Sequence, residues 1–118
     1  MSLPALSRLR ESLAGCEVAL LIDLPTRTCL LSAGALQTSQ DQLERLCTEG
    51  AYFLQLEGVT GFGACILSGP LGIKVFARAA ADQPEALCLL FGPHPLPEDL
   101  DARVRGFLRD ESFMGRHV

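Results

Sequence analysis

Cys16-Glu17-Val18-Ala19-Leu20-Leu21-Ile22-Asp23-Leu24-Pro25-Thr26-Arg27-Thr28-Cys29-Leu30-Leu31-Ser32-Ala33-Gly34-Ala35 reads as one β-hairpin, and the rest of the chain is organised around it. The run from Glu17 to Leu24 is densely apolar, too short to span a membrane, and bounded by Gly15 and Pro25, which selects a strand. With apolar residues at nearly every position, that strand is covered on both faces. Cys29 to Gly34 is the return strand, and Pro25-Thr26-Arg27-Thr28 is a short polar turn between them. A hairpin this apolar needs a layer on each side. It carries no reactive constellation of its own.

The totals bound the rest. A chain of 118 residues is one domain, and at this size it buries about two-thirds of its unfolded surface. With 48% hydrophobic and 20% charged residues, disorder and low-complexity classes are excluded. The net charge is −4 and the 10 Lys and Arg are scattered, so no basic stripe exists to hold a phosphate backbone, and nucleic acid is not an expected partner. The 5 cysteines stand singly, without a C-x-x-C pair, which fits small buried hydrophobes in a reducing compartment better than a disulfide frame or a zinc site. The first residues lack a charged region followed by an apolar one, and no segment is long enough to span a bilayer. The expected location is cytoplasmic.

Taken in order, Leu3, Leu6, Leu9 and Leu13 share one stripe of a helix expected over Leu3–Ala14, with Ser2 as cap and Gly15 as its left-handed end. After the hairpin, Ser39 and Gln42 stand at capping-box spacing and open a second helix whose inward stripe is Leu43, Leu46, Cys47, Gly50, Ala51 and Leu54. Phe62–Ser68 reads as a strand, Gly69-Pro70-Leu71-Gly72 as a turn, and Ile73–Ala79 as a strand covered on one face only, because Lys74 and Arg78 share a side with Phe76. Glu85–Phe91 is a buried strand. Pro97 starts a last helix with the stripe Leu100, Val104, Phe107 and Leu108, and Glu98, Asp99 and Asp101 suit its positive end. The domain is expected over 1–111, with 112–118 as a tail of no discernible period.

The order α-β-β-α-β-β-β-α, with short links between successive strands, implies one five-stranded antiparallel sheet with helices on both faces, an α+β fold. On the second helix Arg45, Glu49, Tyr52 and Leu56 lie opposite the inward stripe. Apolar residues scattered on a surface helix are ordinary. The alternative is a contact surface for a partner.

Motifs that carry chemistry are missing. Gly58-Val59-Thr60-Gly61-Phe62-Gly63 has the wrong spacing and context for a phosphate loop, and neither a P-loop nor a nucleophile elbow occurs. Cys88 and His94 match no thiol-catalysis pattern, and with only His94 and His117 no metal-ligand spacing arises. No catalytic residue, cofactor or metal site is expected.

With its opening helix, Val18-Ala19-Leu20-Leu21-Ile22-Asp23, the closing Leu31-Ser32-Ala33-Gly34 and the long helix from Ser39, the chain resembles the roadblock/LC7 (longin-like, profilin-like) family over roughly Leu3 to Leu108. It departs at the first turn, where that family usually places a glycine and this chain has Pro25-Thr26-Arg27-Thr28. The resemblance implies a homodimer joined edge to edge through the third strand, here Phe62, Ala64, Cys65, Ile66, Leu67 and Ser68, with the two second helices side by side. It also implies a non-enzymatic regulator or scaffold for a Ras-like small GTPase. Independently, Phe62–Ser68 has no charge or proline, so as a sheet edge it needs a mate. A small-ligand sensor of the profilin-like or GAF/PAS-like kind is the alternative, and requires an internal pocket with convergent polar groups.

Overall fold

The hairpin forms as expected, β1 (Cys16–Asp23) antiparallel to β2 (Thr28–Gly34), with Val18 opposite Gly34 and Asp23 opposite Thr28. In this computed structural model residues 2–34, 39–55, 63–70, 72–80, 83–93 and 95–115 are described, with backbone alone at 55 and 111–115. At the turn the Thr26 amide donates to Asp23 Oδ2 at 3.2 Å. Arg27 then takes a φ of 55°, a left-handed conformation that costs an L-residue about 1–2 kcal/mol. The glycine that the resemblance leads one to expect here would adopt it without that strain.

Around the hairpin stand α1 (Leu3–Ser12), α2 (Gln40–Gln55), β3 (Gly63–Gly69), β4 (Gly72–Arg78), β5 (Glu85–Phe91) and α3 (Leu100–Gly115). The strands make one antiparallel sheet in the order β2-β1-β5-β4-β3. Two apolar layers follow from the period-two alternation of its central strands. Ala19, Val75, Ala77, Leu87, Leu89 and Phe91 face α1 and α3, packing on Leu6, Leu9, Leu13, Leu100, Val104 and Leu108. Val18, Leu20, Ile22, Phe76, Ala86 and Cys88 face α2, packing on Leu46, Cys47, Ala51 and Leu54. A register shift against β5 between Cys16 and Val18 puts Cys16 on the α1/α3 side, out of step with the residues that follow it.

Ser2 caps α1 through its side chain, accepting from the Ala5 amide at 3.3 Å. The helix ends at Ser12, two residues short of the expected end, and Gly15 spends its positive φ of 83° on the turn into β1. Leu3, expected on the inward stripe, is exposed, whereas Leu6, Leu9 and Leu13 are buried.

Three further expectations are corrected. Strand β4 is covered on both faces: Val75, Phe76 and Ala77 are all buried. Lys74 and Arg78 do share the Phe76 side, but their long side chains run up beside α2 and end on it, so charge there does not mean solvent. The last helix begins at Leu100, three residues after Pro97, its first turn closed by Leu100 N–H to Pro97 O at 3.2 Å and Arg103 N–H to Asp99 O at 3.0 Å. It also runs on to Gly115, past the expected boundary at 112. The Gly58–Phe62 turn, His94 and residues 116–118 of the tail lie outside the described residues.

The seat of α2 on the sheet is set by Gly50. A Cβ there would stand 2.8 Å from Ile22 Cδ1 and 3.0 Å from Phe76 Cδ1, both side chains wholly buried. Alanine is the better helix former by about 1 kcal/mol, but overpacking a closed core costs about 1–3 kcal/mol. Gly50→Ala is therefore expected to destabilise the fold, read as a lower urea midpoint; a midpoint raised by the full helix gain would show that α2 does not rest on Ile22 and Phe76.

Candidate docking surface on the second helix and third strand

The surface begins with a well-made helix start. Ser39 Oγ accepts from the Gln42 amide at 3.2 Å while Gln42 Oε1 accepts from the Ser39 amide at 3.2 Å, the reciprocal pair that the spacing predicts. With Leu46, Cys47, Gly50, Ala51 and Leu54 buried and Leu43 half-buried, the opposite side of α2 is held outward.

On that side Arg45 is exposed and Tyr52 is 59% exposed. The Tyr52 ring meets half-buried Phe53 edge to face, with centroids 5.1 Å apart and planes at 84°, so the exposed tyrosine is braced and loses less freedom on binding. Asp41, Glu44, Arg45, Thr48, Glu49, Tyr52 and Phe53 line a shallow depression along the helix. Of these, helical phase places Arg45, Glu49 and Tyr52 outward; Asp41 and Thr48 are the i−4 and i+3 neighbours of Arg45, and Glu44 is the i−4 neighbour of Thr48. Leu56 lies outside the described residues.

Glu49 is the exception to the expected outward face. Its carboxylate turns toward the sheet and accepts from Lys74 Nζ at 3.0 and 3.2 Å, the two side chains being 25% and 40% exposed. At that exposure the pair contributes about 1 kcal/mol or less; its larger effect is geometric, tying α2 to β4. A second tie comes from Arg78, whose Nη2 donates to Leu54 O at 3.3 Å. The last turn of α2 has no basic residue of its own, so this cation from β4 faces its negative end.

Beside α2 runs β3, which pairs with β4 alone and so forms one edge of the sheet. Cys65 and Leu67 are half-buried on the α2 side, opposite Phe76 and Lys74. Ala64, Ile66 and Ser68 point to the other side and are exposed, Ile66 at 55%. Gly63–Gly69 contains neither charge nor proline. Phe62, the first residue of the expected edge, is outside the described residues.

Elsewhere the chemistry is quiet. Among the described residues no buried polar or charged side chain occurs and no cluster of three His, Cys, Asp or Glu is placed to hold a metal. The polar groups that do converge, Glu17, Gln42, Arg45, Glu49 and Lys74, line a surface cleft between α2 and the sheet, whereas a small-ligand sensor needs them around an internal pocket. No described helix is long and apolar enough to cross a membrane. None of the five cysteines is in a disulfide. Burial pushes the Cys16 thiol up to about 11 and the Cys88 thiol further, and it also raises Cys29 and Cys47, the opposite of an activated nucleophile.

No protein-family model matches this sequence, and no curated protein matches it. Solved structures define the class: the chain has the roadblock/LC7 fold. A roadblock/LC7 domain from Streptomyces avermitilis superposes with a TM-score of 0.71 at 10% identity, covering 96% of this chain and 97% of that one. Structures of MglB share it. Myxococcus xanthus MglB gives a TM-score of 0.73 at 17% identity over 98% of this chain and 95% of that one. An MglB in a tetrameric arrangement gives 0.62 at 20% identity over 90% and 84%.

The raised thiols make a prediction about alkali. Below the unfolded-state value near 9 both states hold the protons; above it the unfolded chain releases them and the folded chain does not. Stability is thus expected to fall as pH rises from about 9 toward 11, and the slope of the urea midpoint against pH should flatten in Cys16→Ala. A slope unaltered by that substitution would remove Cys16 as a source.

Proposed function

We propose that this chain is a non-enzymatic homodimeric platform that regulates or scaffolds a Ras-like small GTPase, working in the reducing cytoplasm. The observation that carries the reading is the juxtaposition of an open, uncharged edge strand, β3, with a helix, α2, that turns Arg45 and Tyr52 to solvent. The roadblock/LC7 fold supports it, and one structural neighbour assembles as a tetramer.

In this reading two β3 strands pair antiparallel, completing the backbone hydrogen bonds that the edge leaves open. The two sheets become one, and the two α2 helices lie side by side across the seam. Their outer faces then form a composite surface near the two-fold axis, with Arg45 and Tyr52 as anchors, the residue types that most often dominate binding energetics. Glu49 borders them as the residue that positions the helix against Lys74, and the helical phase of the sequence adds Leu56 to the proposed set.

Light scattering should give twice the chain mass at micromolar concentration, and Ile66→Lys, a charge in the middle of β3, should halve it. Monomeric wild type would count against the dimer. Tyr52→Ala and Arg45→Ala are expected to leave melting nearly unchanged while weakening binding to a Ras-like small GTPase at least tenfold. Leu46→Ala, wholly within the core, should instead cost about 2–5 kcal/mol of stability without a specific binding defect. If Tyr52→Ala collapses the fold and leaves affinity intact, the outward face is not the docking face.

A further inference from the structure

The sheet has a second edge, and it is as unguarded as the first. Thr28–Gly34 carries no charge and no proline, and β2 has β1 on one side with no described strand on the other. Nothing in its composition blunts it. Along this edge runs a groove whose one wall is residues 26–32 and whose other wall is Gln40, Leu43, Glu44, Cys47 and Thr48 of α2. Those five recur at the spacing of a single helical face. We propose that this groove is a docking site for an extended peptide segment of a partner protein, which adds to the sheet as a sixth strand alongside α2.

Strand addition to an exposed edge beside a helix draws affinity from main-chain pairing and specificity from pockets for alternate side chains. Both are present. The outer backbone of β2 supplies the pairing groups. Leu30, Leu43 and Cys47 supply an apolar lining among Thr, Ser and Gln residues, with Glu44 as the acid of the helix wall and Arg27 as the cation at the turn. Leu30 is left out of the β1 pairing by the register shift between Leu21 and Ile22, is 46% exposed, and lines the groove. A bulge at an edge often discourages pairing, but it also re-aims a side chain, and here that side chain joins the wall.

The chemistry of the occupant follows from the lining. Its alternate residues are apolar or β-branched, and its inward face carries no acid where it meets Glu44. Added antiparallel, like every other strand of this sheet, its C-terminal end arrives beside exposed Arg27 at the start of β2, so a carboxylate fits there. A second copy of this chain is the wrong occupant, an argument that rests on the β3 dimer proposed above. If β3 and β2 both paired with their own copies, the two edges of one sheet would generate an open array instead of a closed assembly.

The test is a selection of phage-displayed peptides of seven random residues on the intact wild-type chain, followed by titration of the enriched peptide. The expected peptide alternates apolar or β-branched residues and ends in an acid. Its affinity should fall at least tenfold on Ser32→Lys and on Gln40→Trp, two exposed positions in the groove walls, and be abolished by N-methylation of alternate peptide amides. It should be unchanged on Ile66→Lys, whose effect is on mass alone. Should Ile66→Lys leave the mass unaltered while the groove variants behave as expected, the β3 dimer fails and the peptide groove stands. The proposal is overturned by absence of enrichment, by peptides that bind both groove variants or the N-methylated form equally well, or by Ser32→Lys dissociating a dimer, which would make a second copy the occupant.

Discussion

The approach of α2 to Ile22 and Phe76 at Gly50, too tight for a Cβ, is the contact from which the outer surface takes its geometry. A helix presents a new side every 100°, so whichever residue sits against the sheet decides which residues face solvent. With Gly50 at the contact and Leu46, Cys47, Ala51 and Leu54 around it, only one rotation of α2 buries the stripe. Tyr52 and Arg45 point outward because glycine lets the helix lie down in that orientation. Their exposure is a consequence of core packing, two links back along the chain from sequence to surface.

The sheet imposes a second constraint. Its central pair, β1 and β5, is covered on both faces, and each central strand satisfies its backbone on both sides. The edges differ. Backbone groups on the outer sides of β2 and β3 find no described strand, and five strands do not close into a barrel, so the edges persist. Natural sheets blunt such edges with charge or proline. This sequence spends its charges elsewhere: Lys74 and Arg78 stand one strand inward from β3, and both reach α2. Cations that would discourage edge pairing from β3 itself instead hold the helix from β4.

Most of the fold was legible because it rests on local periodicity. The hairpin, the capping box at Ser39 and the stripe of α2 each need only a few neighbouring residues to be read. What was not legible depended on partners distant in sequence. Strand β4 looked half-solvated because Lys74 and Arg78 were read by residue type, and only α2, some 24 or 25 positions earlier, shows what they bind. Helical phase sends Glu49 outward for the same reason: it gives the direction of Cα–Cβ, while a long carboxylate side chain can bend back to a cation on the sheet. The extension of α3 beyond 112 was hidden because Ser112-Phe113-Met114-Gly115 carries no stripe, and a helix end can propagate from the turns before it without one. The groove beside β2 was invisible in principle, since strand order alone decides which strand is an edge.

The two ties between α2 and β4 have a consequence for how the candidate surface behaves as a unit. Lys74 lies opposite Leu67 and Arg78 opposite Gly63, so the cations stand across from points near the two ends of β3. One meets Glu49 in the body of α2; the other meets Leu54 O in its last turn. A rotation of α2 about its axis would draw Glu49 away from Lys74, and a slide along it would draw Leu54 O away from Arg78. Each contact alone is modest at its exposure. Together they oppose both soft motions of a helix on a sheet, adding to the close fit of Gly50 on Ile22 and Phe76. The edge strand and the exposed helix face are thus both referred to one element, β4, which pairs with β3 and carries the two cations that end on α2.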